Sequence, residues 1–542
     1  MNEREFNLID EPWIRVMDES CKVVEVSLLD AIINAHKYKC LSGELSTQDV
    51  AVMRLILAVI HTVVSRYDEY GDENDLEDSE DDALDRWKGL WAQGYFPENA
   101  VREYLEQWHE RFWLFHPDRP FGQVAGLTKG TKINAMKLNG EIAQSNNKIR
   151  FFSSYFGDDK NTLTYAQAAR WLLYINSYDD VALKPDNENK VKAGGKLPSA
   201  KRGWLGQLGL VYLNGNNLFE TFMLNLVIIC DDVVQCEQKP FWESDSVSDR
   251  ERTEIFVPEN LAELYTVQFR RIILQRIENK VVSCLDLVGD FFVEEAMAFK
   301  EPMTLWRKRD KKSDIMIPKK HDSSKQMWRE FSAIFGKENE NYSANVIKWY
   351  KNYVYSKFLP KNYIMKTTIL SLVYDEKQAT SLPVINVFSD SLSMHSEILS
   401  DIGANWRSDI ETEIQHCEDL AKEMGIYARN LYVASGGSDN DTEDIRKNAK
   451  SQLYYRLDMP FRKWLISINP ATMGEDKNKK IKEWQDEARK IAADYADELM
   501  DNTAECAIIG HKVNDNLYSA PKARNIFNGN VKKIYEGSEK NE

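Results

Sequence analysis

Four stretches in the last third of the chain carry apolar residues at helical spacing, and they limit the possible fold more than any other feature. Ile398, Ile402, Trp406, Ile410, Ile414 and Cys417 make the first stripe. Ile445, Ala449, Leu453 and Leu457 make the second, and Ile481, Trp484, Ala488, Ile491, Tyr495 and Leu499 the third. The fourth is APKARNIFNGNVKKIY, 520–535. Polar turns such as ASGGSDNDTED separate them, and Pro460 is expected to bend or split the second helix. Helices with one apolar face each must hide those faces against one another, so residues 385–542 are predicted to form a four-helix bundle.

Residues 1–384 read as one large mixed domain. FNLIDEPWIRVMDESCKVVEVSLLDAI (6–32) predicts strand, turn, strand and a helix entering near Ser27. LSTQDVAVMRLILAVIHTVV (45–64) predicts a buried helix begun at Ser46/Thr47. Short strand patterns, FRRIILQRI and VINVF, follow among turns and helices. Neither a regular βαβ rhythm nor an internal repeat is present, so the expected class is α+β rather than a doubly wound sheet.

A chain of 542 residues exceeds one ordinary core, and 43% hydrophobic residues with 14 tryptophans suffice for a large globular interior. The formal charge of −16 would disfavour nucleic acid, but residues 68–85 hold eleven acidic residues and no basic one, leaving −5 for the rest. That run is expected to be a solvated, partly disordered loop. The N-terminal MNEREF has no secretory character, and the apolar runs LILAVIHTVV and FMLNLVIIC fall short of a membrane span. Seven scattered cysteines without CxxC predict free thiols in a reducing cytoplasm, with no membrane partner.

Catalytic motifs are missing. VKAGGKLPSAKRG (191–203) has Lys190 and Leu197 where a phosphate loop needs Gly and Ser/Thr, so a groove reader or a linker remains. GWLGQLGL (203–210) leads into a strand pattern and suits a tight packing turn. His36 and Cys40, four apart on an expected helix, lack a second ligand pair for zinc; His109 and His116, close if their helix continues, sit in an aromatic stretch that suits packing. DNDTED (439–444) lacks the glycine of a calcium loop and suits a helix N-cap. Neither HExxH nor GxSxG occurs. No catalytic residue, metal or cofactor is expected, and a binding protein is favoured.

Five segments in order resemble the CasA family, the large subunit of the type I-E CRISPR surveillance complex Cascade. They are FNLIDEPWIRV, FWLFHPDRPFGQ, AGGK with RGWLGQLGLVYLNGNNLFETFMLNL, VYDEKQAT, and the C-terminal helices ending in LYSAPKARNIFNGNVKKIY. The resemblance spans nearly the whole chain. It implies a non-enzymatic antiviral protein that finds the PAM of double-stranded target DNA, opens adjacent base pairs to start an R-loop, and helps recruit the helicase-nuclease. Guide RNA and the other Cascade subunits are its implied partners, and sequence is read by base pairing.

Residue by residue, the resemblance implies that Gly194 and Gly195, flanked by Lys192 and Lys196, form a glycine loop entering the minor groove. That groove, about 6 Å wide, admits bare backbone more readily than side chains. Gln378, preceded by Lys377, falls at the wedge beside the PAM; Lys377 departs from the neutral amide expected there. Lys280 and Lys300 are candidates for the lysine finger, and Arg307, Lys308, Arg309, Lys311 and Lys312 for phosphate contacts. Lys148, Arg150, Phe151 and Phe152 are candidates for the guide-RNA handle. Two competing readings stand beside this one: a nucleic-acid hydrolase with scattered carboxylates, and a purely structural scaffold.

Overall fold

The computed structural model describes residues 4–138, 161–179, 202–245, 257–290, 292–336, 341–360, 362–374, 384–440, 442–472, 477–513 and 515–536. Contacts divide the chain into two compact units. One comprises Met1–Ser324, Lys337–Asn352 and Lys366–Ser391; the other comprises Lys325–Gly336, Tyr353–Met365 and Leu392–Glu542.

After a short strand at Glu5–Asn7 that pairs with Trp113–Phe115, the first unit forms a hairpin of β1 (Ile14–Asp18) and β2 (Val23–Val26). Its turn is set by the Asp18 carboxylate, which accepts from Ser20 Oγ at 2.7 Å and the Lys22 amide at 2.8 Å. Ser27 then caps α1 (Leu28–Ile33), as its place after the strand predicts. β3 (Tyr38–Leu41) pairs with the free edge of β1. His36 lies in a short 3₁₀ turn and Cys40 in β3, so the expected helix joining them does not form.

α2 (Ser46–Arg66) includes Ser46 and Thr47 as its first residues, and neither caps it. Side chains of its first turn reach back instead: Asp49 Oδ1 accepts from the Gly43 amide at 2.7 Å, and Gln48 Oε1 from the Glu44 amide at 3.1 Å. At 21 residues it is long and apolar enough to cross a membrane, longer than the apolar run suggests. Every residue from Val50 to Ser65 is nevertheless buried, so α2 is the central helix of this unit's core.

The acidic stretch is not a loose loop. Tyr67 bridges Glu73, and Ser79 caps α3 (Glu80–Gln93), whose first turn carries Glu80, Asp81 and Asp82 where the helix dipole favours negative charge. Buried Arg86 holds the rest, donating through Nη1 to the carbonyls of Val64 (3.1 Å), Tyr67 (2.7 Å) and Asn74 (2.9 Å). One buried cation thus pins backbone that the charge run alone would leave solvated. The helix after it ends at Gln107, and His109 and His116 then part. His109 faces Asp10 at 2.7 Å, while His116 Nδ1 accepts from the amides of Asp118 and Arg119.

Small antiparallel sheets fill the remainder of this unit. β4 (Thr131–Asn134) precedes α4 (Tyr165–Tyr178), which starts with a capping box of Thr164 and Gln167. α5 (Trp204–Gln207) leads into β5 (Leu210–Asn214). β6 (Arg270–Ile277) and β7 (Lys280–Val288) form a hairpin whose second strand also pairs with β4. β8 (Leu305–Lys308) lies between β9 (Met316–Lys319) and β10 (Asn341–Tyr342). β11 (Ile364–Tyr374) lies between β5 and β12 (Val384–His395). Among the described residues no sheet exceeds three strands, in keeping with an α+β chain.

The second unit is built on α7 (Ala404–Ala434), which packs against α8 (Glu443–Ile466), α9 (Lys477–Asp501) and α10 (Ala520–Glu536); α6, Leu218–Asn225, belongs to the first unit. Cys417, Leu420 and Met424 of α7, Leu453 and Leu457 of α8, Trp484 and Ala488 of α9, and Phe527 of α10 are all buried. The first stripe begins later than its spacing suggests: Ile398 is buried in a 3₁₀ turn, and Ile402 is 65% exposed. Pro460 neither splits nor ends α8. It sits on a half-exposed face where water can serve the orphaned carbonyl. Beyond it, Phe461 stacks on Trp328 at 4.5 Å and meets Trp484 edge-on at 5.1 Å. Trp328 comes from Lys325–Gly336 and donates to Asp458 at 2.9 Å. Thr442 precedes α8 without a side-chain cap bond; Glu443 and Asp444 supply the first-turn charge. All seven cysteines are free.

Candidate nucleic-acid interface

The described residues on either side of 180–201, the segment that holds the two glycines, meet at one place in the first unit. Asp179, just past α4, accepts the Gly203 amide on its carbonyl at 3.0 Å. Its carboxylate takes Arg270 Nε at 2.6 Å, with both side chains 2% exposed, while Asn176 accepts the Arg270 amide. Residues 180–201, including Lys192, Gly194, Gly195 and Lys196, lie outside the described residues; their two flanks are hydrogen-bonded to each other.

The stretch carrying the wedge candidates begins at the same place. Tyr374, the last residue of β11, donates its hydroxyl to the Tyr178 carbonyl at 2.6 Å. Burial pushes the Tyr374 phenol well above its ordinary range, so it remains a donor. The Arg202 guanidinium lies over its ring at 4.3 Å and the Lys320 ammonium at 5.1 Å. Lys377 and Gln378 lie outside the described residues.

The glycines of GWLGQLGL make this crowding possible, as a tight packing turn requires. A Cβ on Gly206 would come 2.2 Å from the Tyr374 hydroxyl, and one on Gly203 2.3 Å from the Ser177 carbonyl carbon. α5 is fixed from below by a buried ion pair. Glu301 takes both arms of the Arg54 guanidinium at 2.9 Å, Trp204 Nε1 at 2.7 Å and the Met303 amide at 3.1 Å. Each carboxylate oxygen is thereby doubly served, which such a buried charge demands. The Met303 carbonyl accepts from Val211, joining this anchor to β5.

The other candidates are dispersed. Arg307, Lys308, Arg309, Lys311 and Lys312 are exposed on the β8–β9 hairpin. Carboxylates dilute that cluster: Lys308 pairs with Asp314 at 3.0 Å, Arg309 with Glu295 at 2.9 Å, and Asp310 accepts the Lys312 amide. The base of the hairpin abuts the Tyr374 cluster through Lys320, but its tip stands roughly 20 Å along the strands. Lys280 is exposed at the start of β7, opposite Ile277. Next to it Val281 bridges Leu163, and two residues on Ser283 pairs with Asn134. Those contacts seat the flanks of 139–160 beside Lys280; Lys148, Arg150, Phe151 and Phe152 lie outside the described residues. Lys300 is on a different element. It lines a cavity of about 170 Å³ with Cys230, Asn260, Leu261 and Met297.

Sequence reading missed Tyr374, Asp179, Arg202 and Lys320. Arg202 and Tyr374 do lie within the quoted segments AGGK…RGWLG and VYDEKQAT, but nothing local reveals that a tyrosine 196 positions away holds the Tyr178 carbonyl.

A mixed unit of small sheets, in one chain with a four-helix unit, defines an α+β class that solved proteins share. Thermobifida fusca Cse1 superposes with a TM-score of 0.81 at 26% identity, over 98% of this chain and 98% of that one. A chain of a solved CRISPR RNA-guided surveillance complex superposes at 0.70 with 17% identity, over 98% and 99%. The CasA/Cse1 protein of Thermus thermophilus is 34% identical over 238 residues, 44% of this chain and 42% of that protein, so the match covers less than half of this relative. Residues 7–495 match the family described as CRISPR-associated protein Cse1 (CRISPR_cse1). The chain belongs to the Cse1 family.

Proposed function

We propose that this chain is a non-catalytic, DNA-reading subunit of a CRISPR RNA-guided surveillance complex, assembled with a guide RNA and the other subunits. In this reading Gly194 and Gly195 approach the PAM of target duplex from the minor groove, with Lys192 and Lys196 at flanking phosphates. Gln378 and Lys377 enter beside it to displace the first base pair. That costs on the order of a few kcal/mol, partly offset by the inserted side chain. The opened target pairs with guide RNA, and a helicase-nuclease is recruited to destroy it.

Family membership supports the general role. The observation that carries the specific one is the shared root: the flanks of 180–201 meet at Asp179 and Gly203, and the entry to 375–383 is tied to them through Tyr374. Two stretches that must reach adjacent positions on one duplex have to start close together. A photo-crosslinking residue at position 378 tests this in the assembled complex. Crosslinks to PAM-bearing duplex at the first target base pairs are expected; crosslinks to protein alone would favour the scaffold reading.

A further inference from the structure

Tyr374 does more than fill space. Its hydroxyl bonds the last carbonyl of α4, its ring lies under Arg202 and Lys320, and its oxygen occupies the place a Cβ on Gly206 would need. It thus touches the chain before residue 180, the chain after residue 201, and the strand end before residue 375. The Tyr178 carbonyl lies at the C-terminus of α4, where backbone acceptors lack helical partners. A phenol supplies that missing donor.

We propose that Tyr374 is a positioning residue that locks the base of the glycine-bearing stretch to the base of the stretch carrying Lys377 and Gln378, so that PAM reading and base-pair opening occur as one concerted step. The inference rests on the function proposed above. Without the lock each stretch could still touch DNA, but contact by one would no longer place the other. Tyr374 itself needs no contact with nucleic acid. Its ring and the two cations over it hold the geometry, and its hydroxyl fixes the register between strand end and helix end.

The test is Tyr374→Phe, which keeps the ring and removes one hydrogen bond, in the assembled guide-RNA-loaded complex. Two targets are compared: PAM-bearing closed duplex, and the same duplex with the PAM-proximal pairs already mismatched open. Tyr374→Phe is expected to weaken closed-duplex binding about five- to tenfold and to leave pre-opened binding within twofold, because only the closed target needs both actions together. Equal losses on both targets, or none on either, would overturn the proposal. Gly195→Leu is run alongside. If it cripples closed-duplex binding while Tyr374→Phe does not, the lock is wrong and the function stands. If neither variant affects closed-duplex binding, the function proposed for these stretches fails and the lock with it.

Discussion

The Arg54 guanidinium meets the Glu301 carboxylate in two parallel hydrogen bonds of 2.9 Å, and neither side chain is more than 2% exposed. The pair joins α2 to the turn before β8 that carries Met303, and through Trp204 it seats α5, which follows the glycine-bearing stretch in the chain. Arg54→Met leaves Glu301 charged and buried without its partner. It should cost about 3–5 kcal/mol in urea unfolding followed by tryptophan fluorescence. Arg54→Met combined with Glu301→Met should recover part of that loss; a double variant worse than the single would contradict this account of the pair.

Arg86 ties residues 68–79 to the end of α2 through the carbonyls of Val64, Tyr67 and Asn74. Arg86→Ala leaves three carbonyls without their donor and should destabilise the acidic lobe by about 3 kcal/mol, roughly a hundredfold in local opening. Limited proteolysis should then cut between residues 68 and 79 well before the rest of the chain. Unchanged resistance would show that the lobe holds without the arginine.

In the second unit, Trp328 should act as a staple. Trp328→Ala removes the ring stacked on Phe461 and should cost about 3–5 kcal/mol. Trp328→Phe keeps much of the stacking and loses the bond to Asp458, at a cost of about 1 kcal/mol from that bond. Thermal unfolding followed by near-UV circular dichroism separates the two. Equal effects would mean that the hydrogen bond, not the ring, dominates.

Asp49 gives a pH signature. Burial pushes its carboxyl up from the ordinary 3.8 to about 7, with Glu44 adding to the rise, while the Gly43 amide, Arg15 and Arg170 oppose it. The folded state therefore holds a proton that the unfolded chain releases, and stability falls as pH rises from about 4 to about 7. Buried His61, held down to about 3 by desolvation, contributes the opposite slope below its ordinary 6.5. The clean measurement is a difference. Asp49→Asn should gain on the parent chain across that window, by about 1–2 kcal/mol at pH 8 given partial access to water. A constant difference from pH 4 to pH 8 would contradict the shifted carboxyl.

Much of this architecture is legible from local pattern. Ser27 caps a helix because it follows a strand and precedes an apolar run, and the stripes through Cys417, Leu453 and Trp484 all face one core. Readings failed where a distant partner intervened. Arg86 helps turn an acidic run into an ordered lobe by gathering carbonyls from three positions, and α8 continues through Pro460 as a single helix whose Phe461 packs on Trp328 and Trp484. Of the candidate interface, the sequence carried the two stretches but not their common root. That root depends on contacts such as Tyr374 to Tyr178, which no local spacing encodes.

In the proposed function the backbone at Gly194 and Gly195 reads the PAM. The direct measurement is equilibrium binding of the guide-RNA-loaded complex to PAM-bearing and PAM-lacking duplexes at fixed salt, with the parent chain and with Gly195→Leu. A leucine side chain in a minor groove about 6 Å wide should abolish the preference for the PAM-bearing duplex while the complex still assembles. An undiminished preference with Gly195→Leu would contradict it.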